Sequence, residues 1–199
     1  DMPPGQTDPA LRHFSLDPER ADVIPAVKQA LALNPQLQVM ASPWSAPGWM
    51  KTTDSLVQGQ LKPEFYGAFA QYLVRYVQGM AAEGVPIFAL TLQNEPHFEP
   101  GDYPGMRMTP RTRAEVVGQH LGPLLKAQGL KTQILEWDHN WDEPWSPLSM
   151  LSDATARKFV SGVAWHCYAG DVAAQSQVAQ HYPELDVWFT ECSGGEWKP

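Results

Sequence analysis

Short apolar runs alternate along the chain with segments whose apolar residues recur every three or four positions. The apolar runs, which are typical of buried strands, span residues 37–44, 85–93, 131–137, 162–168 and 186–191. The amphipathic segments, which predict helices, span residues 18–34, 63–84, 110–128, 152–160 and 172–183. Because the two kinds of segment alternate, we expect a parallel sheet covered by helices.

Residues near the helix ends support this assignment. Thr109 followed by Pro110 is typical of an N-cap and a first helical position, and Gly129 stands where the same helix would end. In the first predicted helix, Pro25 lies early enough to divide the segment in two.

The residues that follow the strands favour a closed barrel over an open sheet. No strand is followed by GxGxxG or GxxxxGK[ST], the turns that often mark an open doubly wound sheet. Polar and aromatic residues instead stand at the carboxyl end of each strand, as SPW, NEP, WDHN, HCY and TECSGG. A (β/α)8 barrel builds its active site at that face, so we predict an α/β fold of the TIM-barrel type.

Composition and charge exclude several classes of protein. The 199 residues are enough for one sizeable domain, and the net charge of −8, with only 14 scattered Lys and Arg residues, argues against a nucleic-acid partner. The apolar runs are far shorter than the roughly 20 residues that a transmembrane segment needs. The first residues lack the features of a signal peptide, so either none existed or the start of the gene product is missing.

The two cysteines, Cys167 and Cys192, are too few for a disulfide framework or a four-ligand zinc site. We expect both to be buried free thiols. Strand alternation points each of them away from the face that presents the neighbouring polar residues, so neither is expected to act as a nucleophile.

Glu95 and Glu191 close the second and the fifth predicted strands. On a closed barrel these strands lie on facing sides of the mouth, so the two carboxyl groups would face each other across a pocket. Such a pair is what cleavage of a glycosidic bond needs, one carboxyl group as proton donor and the other as nucleophile or base. Tryptophans that could stack on a sugar ring stand in or beside the strand-end loops, at Trp44, Trp49, Trp137, Trp141, Trp145 and Trp197.

Glu and His residues at strand ends can also have purely structural roles. A single Glu at a strand end is more often a salt-bridged or capping residue, and a lone His is most often a hydrogen-bonded core residue. The polar residues that stand at equivalent strand ends favour the catalytic interpretation; they are Asn94, Asp138, His166 and Tyr168. A metal site built from His97, His139 or His166 with Glu95 or Asp138 lacks a ligand spacing such as HExxH, so no metal or other cofactor is expected.

The ordered set of motifs resembles the glycoside hydrolases of family 30, whose best-known members are glucosylceramidases. The motifs are FSL (14–16), ASPWSAPGWMKT (41–52), LTLQNEP (90–96), ILEWDHNWD (134–142), VAWHCY (163–168) and FTECSGG (189–195). The resemblance implies a retaining (β/α)8 enzyme in which Glu95 is the acid/base and Glu191 the nucleophile. It also implies that Asn94 bonds the sugar 2-OH, that Trp44 lines the sugar subsite, that His166 and Tyr168 hold sugar and nucleophile, and that Asp138 and Trp141 shape the rim.

The resemblance further implies that the chain is incomplete. If the catalytic strands are barrel strands 4 and 7, the visible ones are 3 to 7, and residues 1–199 form a partial catalytic domain without the β-sandwich of the family. About five βα units are visible, and the unpaired outer strands predict aggregation of this segment alone. A secreted or periplasmic location is only an expectation from the family's substrates.

The resemblance leaves the substrate open. A glucosylceramide or another β-glucoside is the first expectation, an endo-β-1,6-glucan is the alternative, and an inactive sugar-binding remnant is the third possibility. A carbohydrate or a glycolipid is thus the expected ligand. In a retaining enzyme the two carboxyl groups should lie roughly 5 Å apart.

Overall fold

Five parallel strands form one sheet in the order β1-β2-β3-β4-β5, as a computed structural model of residues 1–195 shows. The strands are β1 (Val39–Ala41), β2 (Ile87–Thr91), β3 (Gln133–Asn140), β4 (Val160–His166) and β5 (Asp186–Glu191). Each predicted strand is confirmed, and the curled sheet is half of a barrel, which agrees with an incomplete (β/α)8 fold.

Two helices precede β1 and the others connect successive strands, as the alternation predicted. They are α1 (Asp17–Ala21), α2 (Val23–Leu33), α3 (Tyr66–Ala82), α4 (Pro110–Glu115), α5 (Gly122–Ala127), α6 (Trp145–Leu151), α7 (Ala154–Arg157) and α8 (Ala173–His181). A π-helical segment, Val116–Leu121, joins α4 to α5, and 3-10 turns form at Gly48–Met50 and Pro63–Phe65. Within residues 1–195, no helix is both long enough and apolar enough to cross a membrane.

Prolines explain where the helices break or begin. The first predicted helix divides at Asp22, because Pro25 has no N–H to offer the carbonyl of Ala21, and Pro25 then lies in the first turn of α2. Thr109 caps α4 as predicted, with its hydroxyl accepting a hydrogen bond from the N–H of Thr112. Helix α6 was not predicted. Its Pro147 is tolerated in the first helical turn, where its missing N–H has no partner to lose.

The main core lies between the sheet and the helices. Helix α3 buries one stripe of apolar residues at Phe69, Leu73, Val77 and Met80. On the other face, a smaller apolar layer brings together residues from all five strands: Met40, Phe88, Ala89, Leu135, Ala164 and Trp188. This inner layer forms the floor on which the polar strand ends stand.

A buried ion pair ties α4 to β3 below the strand ends. The guanidinium of Arg113 lies 2.8 Å from the carboxylate of Glu136, and both side chains are 1% exposed. Arg113 also donates to the hydroxyl of Ser146 and to the carbonyl of Met108, so its donors are used in several directions. Separating the Arg113–Glu136 pair would leave an uncompensated buried charge, which is unfavourable. The pair therefore holds α4 against β3, and the bond from Arg113 to Ser146 holds α6 beside them.

Candidate active site

A layer of hydrogen-bonded polar side chains lies directly above the inner apolar layer. Its centre is Asp138, which is 2% exposed. Ser42 and Thr91 donate to one carboxylate oxygen of Asp138, at 2.6 and 2.9 Å, and Thr190 donates to the other at 2.8 Å. Nε2 of His166 lies 3.0 Å from that second oxygen. All five strands therefore meet at one carboxylate, which locks their carboxyl ends together.

Backbone geometry at two strand ends brings these side chains into line. Trp137 and Asp138 have φ of 79° and 57°, and the pairing of β3 with β4 skips a residue at this point. The bulge turns Asp138 inward. Glu95 also has a positive φ, 46°, and its N–H donates to the carbonyl of Asp138 at 3.0 Å. Such conformations are costly for residues other than Gly, so the surrounding contacts must hold them in place.

Two imidazoles face Glu95 at the end of β2, and the nearer one is within hydrogen-bond distance. Its Oε1 lies 3.1 Å from Nδ1 of His166 and 3.6 Å from Nδ1 of His139. His166 thus stands between two carboxylates, Glu95 and Asp138, while His139 packs at an angle against the ring of Trp137.

These contacts shift the pKa values of the acidic and basic groups in opposite directions. Burial by itself would raise the pKa of Glu95, but the nearby imidazoles of His139 and His166 outweigh it and lower that pKa to about 2. Burial would lower the pKa of His166, yet its hydrogen bonds to Asp138 and Glu95 raise it to about 9. Burial would also raise the pKa of Asp138, but its hydrogen bonds, above all that of His166, lower it. At neutral pH the proton of the Glu95–His166 pair therefore lies on the imidazole.

Glu191 is oriented by a tyrosine in the loop that follows the neighbouring strand, β4. The hydroxyl of Tyr168 donates to Oε1 of Glu191 at 2.9 Å and lies 2.9 Å from the hydroxyl of Ser193. The other carboxylate oxygen of Glu191 lies 3.9 Å from Nε2 of His166. The backbone N–H of Tyr168 donates to the side chain of Asn140, which fixes the loop after β4.

The prediction that both cysteines are buried free thiols is wrong, since they are bonded to each other and Cys192 is exposed. Cys167 and Cys192 form a disulfide with a Cα–Cα distance of 5.3 Å, within the range that a disulfide spans. His166 pairs with Glu191 across β4 and β5, so the residue after each lies beside the other and points to the same side. Strand alternation predicted correctly that both cysteines point away from the face of His166 and Glu191. Their disulfide was not predicted, because it depends on the pairing of β4 with β5.

The two glutamates line one pocket at the carboxyl ends of the strands, of about 410 Å³. Besides Tyr168, three exposed aromatic side chains line it: Trp44, 47% exposed, Phe98 and Tyr103. Trp44 and Tyr103 lie 5.6 Å apart with their rings tilted, and Phe98 lies next to Tyr103. Exposed aromatic faces beside two carboxylates suit a sugar, whose C–H faces stack on rings while its hydroxyls bond polar groups.

A buried lysine joins the two long loops that carry Trp44, Phe98 and Tyr103. The ammonium of Lys51 donates to the hydroxyl of Ser45 and to the carbonyls of Leu56 and Gly105, at 2.7 to 2.8 Å. Its burial lowers the pKa of Lys51 to about 8. Gln93, just before Asn94, donates to the carbonyl of Trp44 and so fixes the start of the first loop.

The structure brings together most, but not all, of the predicted site residues. Glu95, Glu191, Asn94, Trp44 and Tyr168 line the pocket. The remaining predicted residues lie elsewhere, and they are His166, Asp138 and Trp141. His166 and Asp138 are buried beneath the pocket, so Asp138 does not shape the rim.

The expectation that Trp141 would shape the rim is not supported either. Trp141 stacks on Phe189, with ring centroids 5.8 Å apart, and is absent from the pocket lining. Of the other strand-end tryptophans, Trp49 and Trp137 are buried, at 4% and 2% exposed, and Trp197 lies outside the described residues. Some tryptophans at or near strand ends therefore line the pocket and others pack in the core, and the sequence alone does not show which do which.

Five pocket residues were not predicted as site residues: Phe98, Tyr103, His139, Asn140 and Ser193. His139 and Asn140 belong to the WDHN segment, which was recognised, but the bulge in β3 could not be foreseen and it decides which of these side chains turn inward. Phe98 and Tyr103 stand in the Gly- and Pro-rich loop after NEP, where exposed aromatic residues were the available signal.

Residues 5–198 match the family model described as the glycosyl hydrolase family 30 TIM-barrel domain. The chain belongs to glycosyl hydrolase family 30. The resemblance noted from the motifs is therefore confirmed, as is the incomplete barrel.

The chain is similar to individual proteins of two kinds. The chain is 37% identical over 210 residues to an endo-1,6-β-D-glucanase of Trichoderma harzianum, covering 97% of this chain and 42% of that protein. It is 30% identical over 170 residues to the lysosomal acid glucosylceramidase of Mus musculus, covering 79% of this chain and 33% of that protein. A solved endo-β-1,6-glucanase structure superposes with a TM-score of 0.90 at 36% identity, covering 96% of this chain and 45% of that one.

The chain thus spans less than half the length of these relatives. Among them, the endo-1,6-β-glucanases are more similar to it than the glucosylceramidase.

Proposed function

We propose that the protein containing this chain is a retaining endo-β-1,6-glucanase. The observation that carries the proposal is the pair of carboxylates, Glu95 and Glu191, in one pocket beside three exposed aromatic rings. The similarity to endo-1,6-β-glucanases supports the β-1,6-glucan as substrate.

Glu191 has the role of nucleophile in this mechanism. The Tyr168 hydroxyl bonds Oε1 of Glu191, which leaves Oε2 for attack on the anomeric carbon and formation of a covalent glycosyl-enzyme. The bond between the anomeric carbon and the glycosidic oxygen breaks as the new bond forms. The hydrogen bond from Tyr168 also fixes the rotamer of Glu191, so that the attacking oxygen needs no reorientation.

Glu95 has the role of acid and then base. In the resting pair the proton lies on His166, 3.1 Å away from Glu95, and it has to lie on Glu95 when the glycosidic oxygen departs. A bound sugar would exclude water from Glu95, and loss of solvation favours the neutral carboxyl over the ion pair, so binding itself moves the proton toward Glu95. In the second step ionised Glu95 takes a proton from the water that releases the sugar.

The roles of the two glutamates are tested with single variants of the full-length protein acting on an activated aryl β-glucoside or β-1,6-linked oligosaccharide. We expect both Glu95→Ala and Glu191→Gly to lose activity by at least about 100-fold, as removal of an acid/base or a nucleophile requires. Azide should restore Glu191→Gly with formation of the α-glycosyl azide, and Glu95→Ala with formation of the β-azide. Exposed Glu184→Ala is the matched control and should keep full activity. Full activity in either site variant would refute the assignment.

The substrate is tested by the products. An endo-β-1,6-glucanase shortens a β-1,6-glucan to oligosaccharides, whereas a glucosylceramidase releases glucose from a lipid glucoside in detergent micelles. Release of glucose from the lipid alone would favour the glucosylceramidase alternative, which the similarity to the mouse enzyme keeps open. Saccharide binding without hydrolysis of either would favour a sugar-binding remnant.

The disulfide bears on the location of the protein. Disulfides persist in oxidising compartments, and Cys167 and Cys192 form one beside the pocket. We propose a secreted or periplasmic location on this basis, which suits an enzyme that cleaves a polysaccharide.

A further inference from the structure

Three potential metal ligands converge at one point beside the pocket. One donor atom from each of Glu95, His139 and His166 lies within 4.8 Å of the other two. Two of the separations are 3.1 Å, Glu95 to His166, and 3.6 Å, Glu95 to His139. Around a tetrahedral zinc ion, with bonds of roughly 2.0 to 2.2 Å, donor atoms lie about 3.4 Å apart. These two separations therefore already match a metal site.

His139 provides an independent indication of a ligand. The residue is 9% exposed, and its Nδ1 is buried without a hydrogen-bond partner among the described residues. The nearest acidic atom, Oε1 of Glu95 at 3.6 Å, is beyond hydrogen-bond distance. Because buried polar atoms are normally satisfied, a buried ring nitrogen that is aimed at a carboxylate and has no partner indicates that something binds between them.

His166 has the orientation of a metal ligand. Its Nε2 faces the carboxylate of Asp138 at 3.0 Å, which directs Nδ1 toward Glu95. A carboxylate behind a histidine is the usual arrangement at zinc sites, where it fixes the ring and raises its basicity. Asp138 is itself held by Ser42, Thr91 and Thr190, so the position of the ring is fixed from behind.

We propose that Glu95, His139 and His166 form an inhibitory site for a late first-row divalent cation such as Zn²⁺. The cation takes the place of the proton between His166 and Glu95, and its fourth position faces the pocket. Nitrogen and carboxylate donors suit zinc, cobalt and copper rather than magnesium or calcium. The spacing along the chain could not show this site, because its ligands come from the ends of three strands, β2, β3 and β4.

Inhibition follows from the identity of one ligand. A cation bound to Glu95 prevents it from donating a proton, so hydrolysis should stop when the site is filled. This consequence rests on the proposed function, whereas cation binding itself does not.

Binding is measured on the full-length protein without substrate, by calorimetry with Zn²⁺ and by the visible absorption of bound Co²⁺. We expect one equivalent to bind to the wild type and to the control His181→Gln, which changes an exposed histidine on α8. His139→Gln should lose this binding, and Asp138→Asn should bind about 10- to 100-fold more weakly. Glu95→Gln removes a second ligand and replaces His139→Gln if that variant does not fold. A wild type that binds no Zn²⁺, or ligand variants that bind it as tightly as the control, would overturn the site.

Inhibition is measured with the same proteins on the glucan. Zn²⁺ should abolish hydrolysis by the wild type and by His181→Gln, and a chelator should restore it. Undiminished hydrolysis when calorimetry shows the site to be filled would overturn the inhibitory step. If Glu95→Ala proved fully active, the proposed function would fail, but the calorimetric result would stand, so the two failures are distinguishable.

Discussion

The glutamate that ends β2 shows how far a single residue can be understood from its neighbours. Glu95 was predicted as a catalytic carboxyl from its place after an apolar strand. Its environment was not predictable, because His139 and His166 reach it from two other strands and hold its pKa at about 2. A proton donor that is ionised at rest must gain its proton in the complex, and His166 is the adjacent source.

The pair of Glu95 and His166 should make the stability of the protein depend on pH. The pKa of His166 is raised from 6.5 to about 9, so its stabilising contribution is complete below pH 6.5 and is lost as pH rises through 9. The pKa of Glu95 is lowered from 4.5 to about 2, so its contribution is present above pH 4.5 and is lost as pH falls through 2. Groups that face His166 from other strands are Asp138, Glu95 and Glu191.

His166→Gln should therefore reduce the free energy of unfolding most between about pH 4.5 and 6.5, with a pH-dependent part of up to about 3 kcal/mol. The difference from wild type should shrink toward pH 9 and above. Urea unfolding of both proteins across this range measures it, with exposed His13→Gln as control. A difference that stays constant with pH would show that His166 is not charged in the folded protein.

At the scale of elements, the carboxyl ends of β4 and β5 are joined twice. The disulfide of Cys167 and Cys192 lies immediately after His166 and Glu191, and the Tyr168 hydroxyl bonds Glu191 from the same loop. The covalent bond therefore fixes the distance between the nucleophile and the tyrosine that orients it.

Removal of this disulfide should lower both stability and turnover. It closes a loop between residues separated by 25 positions, for which chain-entropy estimates give about 3 kcal/mol. Cys167→Ser/Cys192→Ser should unfold at lower temperature and should lose kcat more than it raises KM, because the misplaced group is the nucleophile. A thiol reductant should reproduce both effects in the wild type and leave the double variant unchanged. An unchanged kcat in the folded double variant would show that the bond only stabilises.

The elements themselves were largely predictable, and the exceptions have physical causes. Regular periodicity gave the five strands and the helices from α1 to α5, α7 and α8, since these segments show their buried face in the sequence. Helix α6, only seven residues long with Pro147 in its first turn, was not predicted. The bulge in β3 could not be predicted because it depends on Asp138 finding partners on four other strands. Sequence thus predicted which strand ends carry the chemistry, but not which of their side chains turn inward.

At the scale of the whole molecule, the sheet has two outer strands. Within the described residues, β1 pairs only with β2, and β5 only with β4. Apolar side chains are exposed on β5, with Val187 at 48% and Phe189 at 57%. In a closed barrel these edges would be paired, and the inner apolar layer would be covered from the opposite side.

Residues 1–199 produced alone should therefore associate through these edges. We expect oligomers in light scattering and binding of an apolar dye, and neither for the full-length protein. Val187→Lys places a charge on the outer strand and should increase the monomeric fraction, since lysines on edge strands oppose pairing. Val172→Lys is the matched control, because Val172 is 56% exposed but lies outside the sheet, and it should change nothing. A monomeric segment that binds no dye would mean that the half-barrel is stable with open edges. An equal increase in the monomeric fraction in Val187→Lys and Val172→Lys would indicate a general gain in solubility rather than a loss of edge pairing.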